Sequence, residues 1–308
     1  MKSFHNILFV SSGIRDEREA LQQAIQLAHD HQAVLEILII CPPFSAAVAQ
    51  YKTSYEVFLK ENINKTIEVA SANLALKKFP INIEITWENA ASIHIIQRVL
   101  RQAHDLVIKA AEEKHSAGFK ALDMALLRKC PCPLFLHRPL KHQQNIRIAA
   151  AIDPDDKGTD EQDLSISLLQ LAQKLTTDYN GQFSIISCWD FVLEHFLRQG
   201  AWLEMPQDEI EATIQQEGNA KYLALSELTK QAGIHNQPTI YHLKGDPTEL
   251  IPRIIHEKAI DVLVMGTVAR TGISGFIIGN TAENILQKID CSLWAIKPQG
   301  FVSPIKAY

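Results

Sequence analysis

At 308 residues the chain is long for one hydrophobic core and suits two domains of about 150 residues each. With 46% apolar and 21% charged residues and a net charge of −5 carried by interspersed acids and bases, it has no basic stripe for nucleic acid. No apolar run approaches the roughly 20 residues that span a bilayer, and the start, MKSFHNILFVSSG, lacks a signal-peptide core, so a cytoplasmic protein without a membrane span is expected.

In chain order, Asn6 to Ser11 reads as an apolar strand. Asp16 to His29 comes next as a helix with Ala20, Leu21, Ala24, Ile25 and Ala28 on one face, and Val34 to Cys41 is the second strand, ended by Pro42 and Pro43. Strand, helix, strand at this spacing is a βαβ unit, which requires a parallel sheet. A long helix is predicted from Tyr55 to Lys78, a strand at Ile81 to Trp87, a helix at Ser92 to Ala103, a strand at Asp105 to Lys109, a helix at Ala121 to Lys129 and a strand at Pro133 to His137. Leu140 to Asn145 reads as a linker.

The order then begins again. Strands are predicted at Ile148 to Ile152, Gln182 to Cys188, Thr239 to Leu243, Val262 to Met265 and Ser292 to Ile296. Helices are predicted at Glu161 to Leu175, Glu209 to Ala232, Glu249 to Glu257 and Thr281 to Lys288. The segment from Trp87 to Ala110 lies over Leu243 to Gly266 without a gap, DLVIKA matching DVLVMG in character. CPCPLFLHRP likewise lies over IDCSLWAIKP, each ending in a basic residue and a proline. The chain is therefore a duplicated α/β unit, divided at residues 1–141 and 142–308.

The stretch from Asp261 to Leu286, DVLVMGTVARTGISGFIIGNTAENIL, joins a buried strand, a Gly-rich loop and a helix start. Unpaired N–H groups at a helix N-terminus attract anions, and glycine lets a phosphate approach the main chain. In an open parallel sheet, ligands sit beyond the carboxyl ends of the strands where the order reverses, here the ends of strands one and four of the second half, Asp153 and Gly266. A carboxylate at Asp153 suits a base or sugar, and Gly266, Gly279, Asn280 and Thr281 suit phosphates; alternatively Asp153 and Pro154 only end a strand and the glycines only turn the chain.

The run GTVARTGISGFIIGN resembles the nucleotide loop of the universal stress protein family, and the resemblance covers nearly the whole chain as two tandem domains. It implies two doubly wound, five-stranded, adenine-nucleotide-hydrolase-like domains of the α/β class, forming a pseudo-dimer paired through their last strands. Carried over residue by residue, it matches Asp153 to an adenine-contacting aspartate, Cys188 to the apolar position at the end of strand two and Met265 to the residue before the first glycine, with Gly266, Thr267, Arg270, Gly279, Asn280 and Thr281 in the phosphate segment. ATP or AMP is the implied ligand, with no metal beyond a nucleotide-associated Mg. Ala269 stands where the family's second glycine would be, and Asn280 where a hydroxyl residue would be. In the first half Ser12 replaces the aspartate and Ala110 the first glycine, so a structural or regulatory partner is expected there, with Lys109 read as a snorkelling surface lysine ahead of the alternative, an anion contact.

The five cysteines, Cys41, Cys130, Cys132, Cys188 and Cys291, sit in or beside apolar runs and read as reduced thiols. Cys130 and Cys132 flank Pro131, but no second cluster stands at ligand spacing, so zinc is not expected. Between strand two and the long helix of the second half, Trp189, Phe191, Val192, Phe196, Leu197, Trp202, Leu203 and Met205 form an aromatic connection, read either as a packed lid or as the wall of an apolar, lipid-like ligand's pocket. The histidines, among them His94, His104, His115, His195 and His256, are scattered and no catalytic set can be assembled. The expectation is a stress-response sensor or regulator, not an enzyme beyond weak ATPase activity, with unknown protein partners and a possible homo-dimer. A protein-interaction module with vestigial sites is the remaining alternative.

Overall fold

The computed structural model describes residues 4–73, 80–112, 117–154, 159–199, 205–235, 237–268 and 278–308. Its elements in the first half are β1 (Asn6–Ser11), α1 (Arg18–His31), β2 (Val34–Cys41), α2 (Lys52–Asn73), β3 (Ile81–Trp87), α3 (Ala91–Gln102), β4 (Leu106–Ala110), α4 (Ala121–Lys129) and β5 (Leu134–His137). The second half supplies β6 (Arg147–Ala151), α5 (Thr159–Asp178), β7 (Gln182–Trp189), α6 (Glu194–Gln199), α7 (Gln207–Gln231), β8 (Thr239–Lys244), α8 (Pro247–Glu257), β9 (Val262–Gly266), α9 (Asn280–Leu286) and β10 (Ser292–Ile296). This is the expected α/β order. Two short helical segments add to it, a 3-10 turn at Ala46–Tyr51 and α6 inside the aromatic connection.

Two compact units emerge. One comprises Met1–Pro139, Thr267–Gly279 and Asp290–Tyr308, the other Leu140–Gly266 and Asn280–Ile289. The first unit holds strands in the order β3-β2-β1-β4-β5-β10, parallel except for β10, which runs antiparallel to β5. The last strands of the two repeats thus pair, with Trp294 opposite Phe135, their rings stacked at 4.8 Å, and Phe4 stacked on Trp294 at 6.0 Å. Within the first repeat, α1 buries the stripe Ala20, Leu21, Ala24, Ile25 and Ala28 read from the sequence.

The second unit orders its strands β9-β6-β7-β8, all parallel. Its chain direction leaves β6 outward to β7 and β8 and returns to β9, so the order reverses between β6 and β9. α8 starts cleanly because Asp246 caps it, accepting from the Thr248 N–H at 2.8 Å, with Pro247 in the first turn.

The repeat extends to hydrogen bonds. Asp105 accepts from the backbone N–H groups of His5 and Asn6 at 2.7 and 3.0 Å. Asp261 accepts from those of Lys141, His142 and Arg147 at 2.7, 3.1 and 2.8 Å, and meets the His142 Nδ1 at 2.8 Å. In each repeat the aspartate that opens the fourth strand ties down the backbone entering the first. Two residues before each aspartate an alanine adopts the left-handed region, Ala103 at φ 53° and Ala259 at φ 45°.

Candidate functional site

The second unit brings part of the expected set together. β6 and β9 are neighbours with Ala150 opposite Val264, and β6 and β7 with Ala151 opposite Ile186. Just beyond these pairs the strands end: Asp153 half-buried after β6, Cys188 half-buried near the end of β7, buried Met265 and half-buried Gly266 closing β9. Asp153 and Gly266 were expected at the ends of strands one and four of this half, and β6 and β9 are neighbours. Burial, with Asp246 nearby, pushes the Cys188 thiol up to about 11, so it is an uncharged, weakly polar contact suited to the face of a base. Asn280 and Thr281 are at least partly exposed in the first turn of α9, which buries Ala282, Ile285 and Leu286 and carries Glu283 in that turn.

Thr267 and Gly279 belong to the first unit. The Gly279 N–H donates to the Thr267 carbonyl at 3.1 Å, and Val268 and Ile278 form an antiparallel bridge, so a narrow neck holds the two ends of the Gly-rich loop. The Thr267 N–H donates to the Ile296 carbonyl at 3.3 Å, while its buried hydroxyl has no partner among the described residues. Ala269 and Arg270 lie outside the described residues, as does His115 in the first half.

At the corresponding strand ends of the first repeat, protein carboxylates take the positions an anion would want. Glu112 Oε2 accepts from the N–H groups of Leu122 and Asp123, the first turn of α4, at 2.7 and 3.2 Å. Glu17 accepts from the Ser11 hydroxyl at 2.5 Å and from the Ser12 N–H at 3.1 Å. Lys109, expected to snorkel at the surface, is buried instead: its ammonium donates to the Ala110 carbonyl at 2.8 Å and to Asp123 at 2.9 Å. Asp123 is itself fully buried and accepts from the Glu112 N–H, and burial raises its carboxyl even beside Lys109. The difference has a plain cause. The partner of Lys109 is fourteen residues on, in another element, and no local pattern announces such a pair.

A separate groove of about 450 Å³ lies in the second unit against α7. Trp189 and His242 stack at 5.8 Å, Tyr222 meets His242 edge-on, and Gln215, Asn219 and Lys244 complete the lining. Gly218 makes the packing possible, since a Cβ there would sit 2.5 Å from the Trp189 ring. His242 Nε2 bonds the Gly218 carbonyl at 3.0 Å, and its buried Nδ1 has no partner among the described residues. The aromatic connection is only partly a covered lid, because Val192, Leu193 and Phe196 are exposed; Trp202 and Leu203 lie outside the described residues.

Two doubly wound repeats with a Gly-rich loop after the fourth strand of the second define a universal-stress-type α/β protein. The profile of the universal stress protein family matches residues 3–138 and again 157–297, and the chain belongs to that family. Among curated relatives it is 26% identical over 326 residues to Universal stress protein E of Photorhabdus laumondii, covering 100% of this chain and 99% of the relative. It is 25% identical to Universal stress protein E of Escherichia coli K12, covering 99% and 98%. In fold it is similar to a functionally unknown protein from Pseudomonas aeruginosa PAO1, at TM-score 0.70, 23% identity and 97% and 94% coverage. A universal stress protein from Archaeoglobus fulgidus gives TM-score 0.58 at 14% identity, covering 96% and 99%. No described helix is long and apolar enough to cross a membrane.

Proposed function

We propose that the second domain binds an adenine nucleotide, ATP or AMP, or a related anionic ligand, and that the protein acts as a sensor or regulator. The observation that carries this reading is the meeting of Asp153, Met265 and Gly266 on adjoining strand ends at the reversal of strand order. Asp153 would accept from the ribose or base, Met265 and the protonated Cys188 would face the base, and Gly266, lacking a Cβ, admits the phosphates. The family motif assigns the remaining phosphate contacts to Thr267, Arg270, Gly279, Asn280 and Thr281, and the partnerless Thr267 hydroxyl suits such a role. Mg would arrive with the nucleotide. Slow hydrolysis is compatible with this reading, but no described residue is placed as a catalytic base, so binding is the activity to measure.

Calorimetry of the full chain with ATP and with AMP is the test. A saturable heat that disappears in Gly266→Val and in Gly279→Val is expected, with Ala269→Gly strengthening it. No heat with either nucleotide at millimolar concentration would end the nucleotide reading and leave the apolar-ligand and interaction-module readings.

A second reading, an apolar or lipid-like metabolite, draws on the groove beside Trp189, whose His242 Nδ1 lacks a partner among the described residues. It predicts co-purifying material seen by native mass spectrometry and lost in Gly218→Leu. An unliganded mass would count against it.

A further inference from the structure

α4 ends at Lys129, and Cys130, Pro131 and Cys132 turn the chain into β5. The two Sγ atoms lie 3.7 Å apart, in thiol–thiol contact and well beyond the roughly 2.05 Å of a disulfide. Cys130 is buried and Cys132 partly exposed. Lys297, directly after β10, reaches this place: its ammonium donates to the Leu127 carbonyl at 2.7 Å and sits 4.3 Å from the centre of the Phe301 ring. The sulfurs and the ammonium feel one another. Cys130 and Cys132 lie in the field of the Lys297 ammonium, and Cys132 also in that of the Asp105 carboxylate.

Among the described residues no group of three or more His, Cys, Asp or Glu could hold a metal ion. Zinc, which takes four donors in structural sites, is therefore poorly served. Paired soft thiolates instead select a soft cation that is satisfied by two sulfurs, and Cu(I) is the common one. The Lys297 ammonium offsets the one net negative charge of two thiolates and a monovalent cation, and the Asp105 carboxylate is the other charge that Cys132 feels.

We propose that the Cys130-Pro131-Cys132 turn is a two-coordinate site for a soft monovalent cation, Cu(I), with Lys297 as counter-ion to the bis-thiolate complex. On binding, two S–H bonds break and two Cu–S bonds form. Two protons pass to solvent and the copper keeps its oxidation state. A linear S–Cu–S unit holds its sulfurs further apart than 3.7 Å, so the two open through rotation of the partly exposed Cys132. The site is independent of the nucleotide reading.

The experiment is an anaerobic titration of the reduced full-length chain with Cu(I) in competition with the chromophoric chelator bicinchoninate. One Cu(I) per chain should be drawn from the chelator. Cys132→Ser abolishes the uptake, Cys41→Ser leaves it unchanged, and Lys297→Met, which keeps both thiols, weakens it about tenfold or more through the lost charge. Should Cys130→Ser fail to fold, Cys132→Ser and Lys297→Met decide the matter alone. Absence of uptake overturns the proposal. So does uptake that survives Cys132→Ser, uptake indifferent to Lys297→Met, or displacement of the bound Cu(I) by equimolar Zn(II).

Discussion

Glu112 does in the first repeat what a bound anion does elsewhere, holding two N–H groups at the start of α4. Glu112→Ala should cost about 1 kcal/mol, the worth of a helix cap, read as a lower urea midpoint with unchanged slope. Lys297 works against the fold near neutrality, because burial lowers its pKa from 10.5 to about 8. The unfolded chain then binds more protons than the folded one between these values, so this lysine's contribution makes stability rise with pH through that window. Lys297→Met should raise stability at pH 7 and flatten the rise, seen in melts from pH 7 to 10. Glu36 stabilises at neutrality instead, though its pKa too is lowered. Its burial raises the pKa, but hydrogen bonds from His104 and Arg98 outweigh this and the net shift is downward. Its stabilisation is present above the unfolded carboxylate value of about 4.3 and is lost as pH falls through the lower folded value. Glu36→Gln should therefore lower stability at pH 7 and make the acid limb of the melting curve shallower. None of these three partnerships was legible in the sequence. Each joins residues from separate elements, and a single chain read in order shows charges but not which of them meet.

Elements were far more legible. β1 and β2 lie where Val, Ile and Leu runs put them, because a buried parallel strand needs a short continuous apolar run, and β3 and β10 also keep their expected bounds. Helix ends were less so: α2 begins three residues before the expected Tyr55, at Lys52, where the apolar period is weak. α6 has no signal at all in the sequence, its six residues bearing an exposed Phe196 that breaks any apolar stripe. Helix C-termini carry a prediction of their own. Ala103 and Ala259 hold the left-handed conformation where glycine has no steric cost, so Ala259→Gly should stabilise by up to about 1 kcal/mol in thermal melts. Gly181 is the converse: a Cβ there would lie 2.3 Å from the Ile146 carbonyl oxygen, and Gly181→Ala should destabilise by about 1–3 kcal/mol.

For the molecule as a whole, the duplication could be read from two aligned segments, and the candidate site's position at the strand ends from one Gly-rich loop. The compact units could not. They interleave the chain, β10 and the Thr267–Gly279 segment falling in the unit that holds the first repeat, and hydropathy does not say which strand a distant edge accepts. Trp294→Ala should consequently cost about 3–5 kcal/mol in the unit containing α1 through β5, and hydrogen exchange should show the loss in β4 and β5. The pairing of β5 with β10 also bears on synthesis. β5 leaves the ribosome long before its antiparallel neighbour is translated, about 10–30 s earlier at the usual ~5–20 residues per second. Throughout that interval the nascent chain presents an unpaired edge with Phe135 beside it, a template for other chains until β10 arrives. The half translated first is thus the half completed last, and a cell that stalls translation within the second repeat leaves that edge open.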